Sequence, residues 1–320
     1  MKKYIFFLIL LIYVQFNVFS LSKIKLGYST NQNDPRGIAA KLFKEEVEKK
    51  TNGKILIEIY HSGKLGSDTE LIEGIINGNV DMTVSSAGNF AVHCTNVGIS
   101  ALPFLFNDFE KAWKFMDSQF ITDINKNLED YNILVLSHFD NGFRCVTTTK
   151  KQINTVKDME GLKIRTPSNN TVIETMLALG ANPETMSFNE LPVALKIGLF
   201  DSQENPIPVI YSSKLYLVQK YLAITNHSYD AMPFVIRKDL WQSLNPSEQR
   251  ILKDAALKAQ ELNRKIVKEQ TENLLDELKN EGMIITKPDL SEFTQKTKTV
   301  LNMFSEIYGK NLMEIVMSFK

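Results

Sequence analysis

The chain has 320 residues, 43% hydrophobic and 23% charged, an ordinary globular composition with room for two domains. Its 37 Lys and Arg residues are balanced by 37 Asp and Glu residues, so the formal net charge is zero. A surface that follows phosphate groups needs a basic excess, so this balance argues against a nucleic-acid-binding protein.

The first twenty residues form a segment of their own. Residues 2–3 are lysines, residues 4–19 are apolar apart from Gln15 and Asn17, and Ser20 and Ser22 are small residues suited to cleavage. Such a pattern is typical of a secretory signal peptide. The apolar stretch is too short and too interrupted to be a confident membrane span. We predict a signal peptide at 1–20, with an uncleaved anchor as the alternative, and a soluble, exported mature chain.

Cys94 and Cys145 are the two cysteines of the sequence. Export would permit a disulfide between them. Nothing in the sequence places them close together, and we favour two buried free thiols.

The mature sequence begins with an alternation of strands and helices. The predicted elements are strand 24–28, helix 35–51, strand 54–60, helix 69–76 and strand 80–85. Asp68 is the predicted cap of the second helix. This order predicts a parallel, doubly wound sheet with helices on both faces. Ligands bind such sheets at the carboxyl ends of the strands.

A second series of strands and helices begins near Ile133. Its predicted elements are strands 134–139, 144–149 and 161–165, helix 172–179 and strand 199–203. We therefore predict a second α/β unit of similar design, and hence two lobes.

A long helix is predicted late in the chain. Asn245 is its N-cap, Pro246 its first residue and Glu248 completes a capping box. The pattern continues to about Asn280, roughly 50 Å at 1.5 Å per residue, whereas a lobe of 150 residues has a radius of gyration of about 15 Å. Its predicted apolar stripe consists of Ile251, Leu257, Leu262 and Ile266. We expect this helix to bridge both lobes.

Two of the candidate ligand-binding segments contain arginine. Arg165 ends a predicted strand just before Thr166 and Pro167, and its guanidinium fork matches a carboxylate; an internal salt bridge is the alternative. Arg144 follows a glycine turn at Gly142 and begins a strand, with a plain surface arginine as the alternative.

Two further segments carry small or amide side chains. Residues 85–89 follow a strand, and their small side chains let backbone N–H groups approach a ligand; an ordinary tight turn is the alternative. Asn205 precedes a proline at a strand end, so its donor and acceptor are held in an extended segment. Phe188 offers an aromatic face, although core phenylalanines are commoner.

Several motifs together resemble one known family. They are the early KLG, GLKIRTP (161–167), ALGANPETMSFNELPVAL (178–195), DSQENP (201–206) and SSKLYLVQKYLAITNH (212–227). Over nearly the whole mature chain the sequence is similar to the solute-binding proteins of TRAP transporters, the DctP-type family. The resemblance implies an α/β, two-lobed periplasmic-binding-protein clamshell with a long helix bridging both lobes. It also implies a periplasmic protein that delivers organic acids to a permease driven by an ion gradient.

The resemblance also implies functional residues. Arg165 matches the family's central arginine, which pairs with the ligand carboxylate, and Asp68 matches a position that sometimes reaches ligand hydroxyls, with a helix N-cap as its alternative. The other matched positions are Arg144, Asn205, Phe188, Ser85, Ser86 and Asn89. Sialate-binding members have an acidic and a further basic residue in the loop that here holds Ser86 and Asn89, which argues against sialate.

The expected organisation follows from these observations. The expected segments are a signal peptide at 1–20, a first lobe at 21–142 plus about 231–270, and a second lobe at 143–230 plus about 271–320. Closure of the lobes would bind a small-molecule carboxylate, with a sugar acid such as a uronate or aldonate favoured and a C4-dicarboxylate as the alternative. Tyr28, Asn31 and Gln32 are unranked candidates.

We expect a receptor and not an enzyme. The four histidines form no HExxH motif, and the sequence holds no GxSxG, P-loop or CxxC pattern. No cofactor or metal is expected. The expected partners are TRAP permease membrane subunits, with a sensor subunit on a membrane receptor as the alternative, and the expected oligomeric state is a monomer.

Overall fold

A computed structural model describes residues 22–320, so the predicted signal peptide lies outside the described residues. The strands are β1 (Ser22–Gly27), β2 (Ile55–Tyr60), β3 (Met82–Val84), β4 (Ile133–Thr148), β5 (Lys163–Thr166), β6 (Asn182–Thr185), β7 (Ser202–Pro206), β8 (Tyr221–Arg237) and β9 (Ile284–Thr286).

The helices lie between these strands and at the C-terminal end. They are α1 (Pro35–Lys50), α2 (Asp68–Ile76), α3 (Ala87–Phe90), α4 (Phe109–Met116), α5 (Gln119–Lys126), α6 (Asn170–Ala178), α7 (Leu191–Lys196), α8 (Ile207–Ser212), α9 (Lys238–Ser243), α10 (Pro246–Asn280), α11 (Leu290–Lys296), α12 (Lys298–Tyr308) and α13 (Lys310–Met317). Short 3₁₀ helices occupy Thr95–Ala101, Asn127–Tyr131, Val156–Met159, Phe188–Glu190 and Leu215–Leu217.

The strands of residues 22–320 form one mixed sheet in the order β2-β1-β3-β8-β4-β7-β5-β6, with β9 beside β8. β1 pairs in parallel with β2 and β3, and β5 pairs in parallel with β6 and β7. Between these two parallel groups, β8 and β4 run antiparallel. The first predicted α/β unit is confirmed as the group of β1, β2 and β3, and the predicted strands 161–165 and 199–203 of the second unit are β5 and β7 of the other parallel group.

Strands β4 and β8 run through both halves of the sheet. The sequence predicted two strands with a turn at Gly142 and placed Arg144 at the start of the second, and this prediction is wrong. The chain continues as one strand, whose register shifts between Asp140 and Gly142 and again between Arg144 and Val146. Gly142 has a φ of 112°, which glycine adopts in bulges as readily as in turns. The same residue therefore fits either structure.

Helix α10 bridges both halves, as predicted. It has 35 residues and begins with the expected capping box of Asn245 and Glu248. Its first half contributes to the core around β1 and α1 through Leu252, Ala255, Ala256 and Ala259. Its last turns contribute Leu278 to the core that contains Leu195 of α7 and Ile210 of α8.

The predicted apolar stripe of α10 is wrong. Leu257 is 40% exposed, and Ile251, Leu262 and Ile266 are only half-buried. The buried face is instead rich in alanine. Small side chains allow α10 and α1 to approach closely. The large apolar residues of α10 therefore do not indicate which face is buried.

The C-terminal helices return to the N-terminal half. Val300 and Phe304 belong to the core that contains Phe115, and the Phe319 ring lies 5.3 Å from the Phe115 ring. The bounds of the two lobes stay a prediction. Among residues 22–320 no helix combines the length and hydropathy that crossing a membrane requires. Cys94 and Cys145 are free thiols, as we favoured, although only Cys145 is buried.

Asn245→Ala should weaken the start of α10. The Asn245 side chain accepts hydrogen bonds from Ser247 N and Glu248 N, both at 3.0 Å. Losing such a cap typically costs about 1 kcal/mol. We therefore expect the free energy of unfolding, measured by urea denaturation, to fall by about that amount. The exposed Ser247→Ala is the matched control, and an equal loss in both variants would contradict the importance of the cap.

Candidate functional site

A cavity lies where strand ends from both parallel groups meet, as expected for such sheets. Residues after β1 and β3 form one wall, and residues at the ends of β5 and β7 form the facing wall. The cavity is lined by Ser29, Thr30, Arg36, Asp68, Ser86, Asn89, Asn141, Arg144, Arg165, Pro167, Phe188, Asn205 and Val209. Seven of the eight predicted site residues are in this lining.

Ser85 is the eighth predicted residue and lies behind the wall. Its side chain is fully buried, and its hydroxyl donates to Asp68 Oδ1 at 3.0 Å while accepting from Asn89 Nδ2 at 2.9 Å. Ser85 therefore orients two residues that line the cavity without lining it itself.

Arg165 is a buried cation without a carboxylate partner among residues 22–320. It is 3% exposed, and its Nε and Nη2 donate to the Met186 carbonyl at 2.9 and 2.6 Å. No acidic side chain of residues 22–320 forms an ion pair with it, so the salt bridge considered above is not observed. Burial lowers the pKa of Arg165 to about 10, and Glu204 offsets this only in part. The Phe188 ring centroid lies 5.9 Å from its guanidinium carbon.

Arg144, by contrast, already has two acidic partners. It is 3% exposed, so the surface-arginine alternative is wrong. Its Nε and Nη2 contact the Glu204 carboxylate, the latter at 2.7 Å, and its Nη1 contacts Asp230. Burial alone would raise the pKa of Glu204, but Arg144 and the neighbouring His227 lower it to about 2. Arg144 can therefore offer a ligand hydrogen bonds but no unmatched charge.

Asp230 connects the two walls of the cavity. Its Oδ2 accepts from Ser86 Oγ at 2.9 Å and from Asn141 Nδ2 at 2.8 Å, in addition to Arg144. Asp230 lies opposite Gly142 in the β4–β8 register. The sequence analysis missed Asp230, because only the strand register brings it to Arg144.

Glu204 and His227 were also missed as site residues. Both are fully buried, with His227 Nε2 at 3.2 Å from Glu204 Oε2. The motif that contains Asn205 also contains Glu204, so a signal was present. Asn205 was the residue of that motif predicted to bind the ligand, and Glu204 was not included.

The orientation of the Asn205 amide is set by a buried hydrogen-bond chain. The chain starts at the Val218 carbonyl, which can only accept and takes a hydrogen bond from Gln219 Nε2 at 3.1 Å. Gln219 Oε1 therefore faces Thr147, whose hydroxyl donates to it at 2.9 Å. The Thr147 proton is then committed, and its oxygen must accept from the next member.

That next member is Gln203, whose Nε2 donates to Thr147 Oγ1 at 2.7 Å. Gln203 Oε1 consequently accepts from Asn205 Nδ2. Asn205 Oδ1 is left facing Arg144 Nη2 at 3.4 Å, at the cavity. The chain thus presents the Asn205 oxygen, an acceptor, to whatever the cavity binds.

Asp68 is not the cap of α2, which corrects the prediction. The cap is Ser67, and Glu70 completes a capping box with it. Asp68 is the first helical residue, so its carboxylate is free to line the cavity. The aspartate and the serine one position earlier are equally good caps, and sequence alone did not decide between them.

Arg36 is a cavity residue that the sequence analysis did not identify. It lies in the first turn of α1, follows the carboxyl end of β1, and is 3% exposed. The sequence pattern that could have identified it is an arginine directly after the proline that starts a helix, in the loop that follows a strand. Of the unranked candidates, Asn31 donates to the Ser212 carbonyl at 3.0 Å, while Tyr28 is buried; neither of them nor Gln32 belongs to the lining.

A wider depression lies on another face, between α5, β4 and α10. Its lining includes Leu134, Leu136 and Trp241 and none of the predicted site residues. Burial lowers the pKa of His138 there to about 3, so this histidine is neutral and serves the core. Residues 22–320 hold no group of three His, Cys, Asp or Glu side chains positioned for a metal ion. We therefore assign the candidate site to the Arg165 cavity.

The fold and cavity define a two-lobed solute-binding receptor, and comparison with known proteins identifies its family. The family model for bacterial extracellular solute-binding protein, family 7 (DctP) matches residues 26–307. The chain therefore belongs to this family, whose members are receptors and not enzymes, and it is a TRAP-type solute-binding protein.

Individual relatives agree with this assignment. The 2,3-diketo-L-gulonate-binding periplasmic protein YiaO of Escherichia coli (strain K12) is 34% identical over 272 residues, 85% of this chain and 83% of the relative. A TRAP periplasmic solute-binding protein of Polaromonas sp. JS666 bound to D-erythronate has a TM-score of 0.90 and 32% identity, covering 92% of this chain and 98% of that one. One from Haemophilus influenzae RdAW with bound L-gulonate has a TM-score of 0.89 and 28% identity, covering 93% and 100%.

Thr147→Val should destabilise the fold by breaking the hydrogen-bond chain behind Asn205. The valine keeps the shape of the side chain but leaves Gln203 Nε2 and Gln219 Oε1 buried without that partner. Each such group costs about 1–3 kcal/mol, so for the two groups we expect the free energy of unfolding in urea to fall by about 2–6 kcal/mol. Thr175→Val is the control, because its hydroxyl bonds a helical carbonyl at Thr171. Equal losses in the two variants would count against the chain.

Stability should depend on the ionisation of Glu204 at acid pH. Its folded-state pKa of about 2 lies below the ordinary value of 4.5, so it contributes stability above pH 4.5 that is lost as pH falls towards 2. Between pH 6 and pH 3 we expect this group to account for on the order of 2 kcal/mol of lost unfolding free energy. Glu204→Gln should show a shallower decline over that interval, and an unchanged decline would refute this assignment.

Proposed function

We propose that this protein is a periplasmic receptor that captures an organic acid, with a sugar acid favoured, and delivers it to the membrane subunits of a TRAP permease. The observation that carries the proposal is Arg165, a buried guanidinium without an ion-pair partner among residues 22–320. A buried charge without a partner is costly, and a ligand carboxylate would remove that cost through two parallel hydrogen bonds.

The polar groups around Arg165 favour hydroxyls over a second carboxylate. Ser29, Thr30, Ser86 and Asn89 line the wall that faces Arg165 and are neutral, and the two charged residues of that wall, Arg36 and Asp68, have opposite signs. Arg144, the residue that a second carboxylate would need, is already matched by Glu204 and Asp230. A sugar acid such as a uronate or aldonate therefore fits better than a C4-dicarboxylate, which stays the alternative. The sugar acids bound to two similar proteins, D-erythronate and L-gulonate, support this class.

Hinge closure is the proposed mechanism. The two walls of the cavity belong to the two parallel groups of strands, which β4, β8 and α10 connect. A ligand that touches both walls favours the closed arrangement over the open one, and connections of this kind act as hinges. Arg165, Arg144, Asn205 and Phe188 would bind from one side, and Asp68, Ser86 and Asn89 from the other, with Ser85 supporting Asp68 and Asn89.

The cellular setting is part of the proposal. The signal-like pattern of residues 1–20 and the periplasmic relative support export to the periplasm. We propose that the permease binds the closed receptor, which acts as a monomer. A sensor subunit that docks on a membrane receptor would use the same clamshell, and a pull-down from membranes of the source cell would separate the two partners.

Arg165→Ala should remove binding of the carboxylate. Breaking a buried charge pair typically costs about 2–5 kcal/mol, so we expect Kd to rise roughly 30-fold to several thousand-fold. The measurement is isothermal titration after a thermal-unfolding screen of uronates, aldonates, C4-dicarboxylates and their neutral sugars. Lys163→Ala is the matched control on the same strand, half-exposed and away from the cavity.

The proposed function is wrong if refolded, ligand-free protein is stabilised by no acid of the panel. It is also wrong if the neutral sugars stabilise the protein as well as their acids do. Unchanged affinity in Arg165→Ala would remove Arg165 from the site.

A further inference from the structure

We propose that Arg36 and Asp68, which we call the Arg36–Asp68 pair, bind the hydroxyl groups of the ligand that lie away from its carboxylate and select against a second carboxylate. The inference rests on the proposed function, because it takes the carboxylate end to be bound at Arg165. It assigns the choice between a sugar acid and a C4-dicarboxylate to two residues of the opposite wall.

Arg36 is poorly satisfied for a buried guanidinium. Its Nη1 donates to the Val84 carbonyl at a long 3.3 Å, and its Nε is buried without a hydrogen bond among residues 22–320. Asp34 and Asp68 lie 4.0 and 3.9 Å from its nitrogens, beyond hydrogen-bond distance. A buried donor left in this state is costly and requires an explanation. Because Arg36 lines the cavity, a ligand oxygen is the explanation that we favour.

Asp68 is held so that it can accept a hydrogen bond from the ligand. Its Oδ1 accepts from Ser85 Oγ at 3.0 Å, and Ser85 is fixed in turn by Asn89. Ser67 caps α2, so Asp68 is not needed there. The Arg36–Asp68 pair therefore places a donor beside an acceptor on one wall. A hydroxyl can donate to Asp68 and accept from Arg36 at once, whereas a carboxylate can only accept.

The charges of this wall also disfavour a second carboxylate. Arg36 contributes one positive charge, while Asp34 and Asp68 contribute two negative charges when ionised. Burial raises the pKa of Asp34, and even with Asp34 protonated the wall has no net positive charge. The attraction of a second carboxylate to Arg36 would be largely cancelled by its repulsion from Asp68. A neutral hydroxylated chain avoids that repulsion.

The test measures Kd for L-gulonate, D-galactonate, D-glucuronate and succinate by titration of the parent, Arg36→Met and Asp68→Asn. A hydrogen bond to a charged group corresponds to about 10- to 100-fold in affinity. We expect Arg36→Met to weaken the best sugar acid at least tenfold. We expect Asp68→Asn, which changes charge but not size, to reduce the preference for that sugar acid over succinate at least tenfold.

The controls separate binding from folding. Arg36→Lys keeps the charge and should retain more affinity for the sugar acid than Arg36→Met, whereas Arg250→Met, on the exposed face of α10, should leave every Kd unchanged. If Arg36→Met fails to fold, Asp68→Asn still tests the selectivity.

The possible failures are distinguishable. A parent that binds no acid overturns the proposed function, and this inference with it. A parent that binds a sugar acid through Arg165, but whose affinity is unchanged in Arg36→Met or whose selectivity is unchanged in Asp68→Asn, overturns this inference alone. A parent that prefers succinate to every sugar acid overturns it as well.

Discussion

The site depends on one buried positive charge that residues 22–320 do not neutralise. Arg165 is held by the Met186 carbonyl at a strand end and has no acidic partner there. The cavity lining supplies hydroxyls, amides and an aromatic ring, together with the Arg36–Asp68 pair, and none of these groups forms an ion pair with Arg165. An anionic group of the ligand could therefore supply the charge that the fold does not, and this is why we propose that the cavity binds acids.

Four ionisable side chains near Arg165 contact one another within the fold, and these contacts support the cavity without binding the ligand's charge. Arg144, Glu204, Asp230 and His227 form a buried network in which positive and negative groups contact each other. Such a network is rigid when its members are satisfied. It holds Asn205 and Ser86 in place and leaves Arg165 as the charge for the ligand. Binding of a solute requires groups that pair with it, and it does not require a nucleophile or an activated acid. This agrees with the assignment of the chain to a family of solute-binding proteins.

The architecture builds the cavity from two walls that belong to different halves of the sheet. Strands β4 and β8 pass through both halves of the sheet, and the register shifts of β4 lie close to Arg144. The charge network therefore lies at the crossing point of the two halves. Asp230 contacts Ser86 on one wall and Arg144 on the other, so the cavity geometry is linked to the relative position of the walls.

The sequence by itself determined the features that depend on near neighbours. The capping box of α10, the alternation of strands and helices, and the strand-end positions of Arg165 and Asn205 were all predicted, because each signal lies within a few residues. Only the tertiary structure decided that β4 is continuous and that Arg144 is paired with Glu204 and Asp230. Those partners are 60 and 86 residues away along the chain. Strand register brings them together, and register depends on the whole sheet rather than on any local pattern.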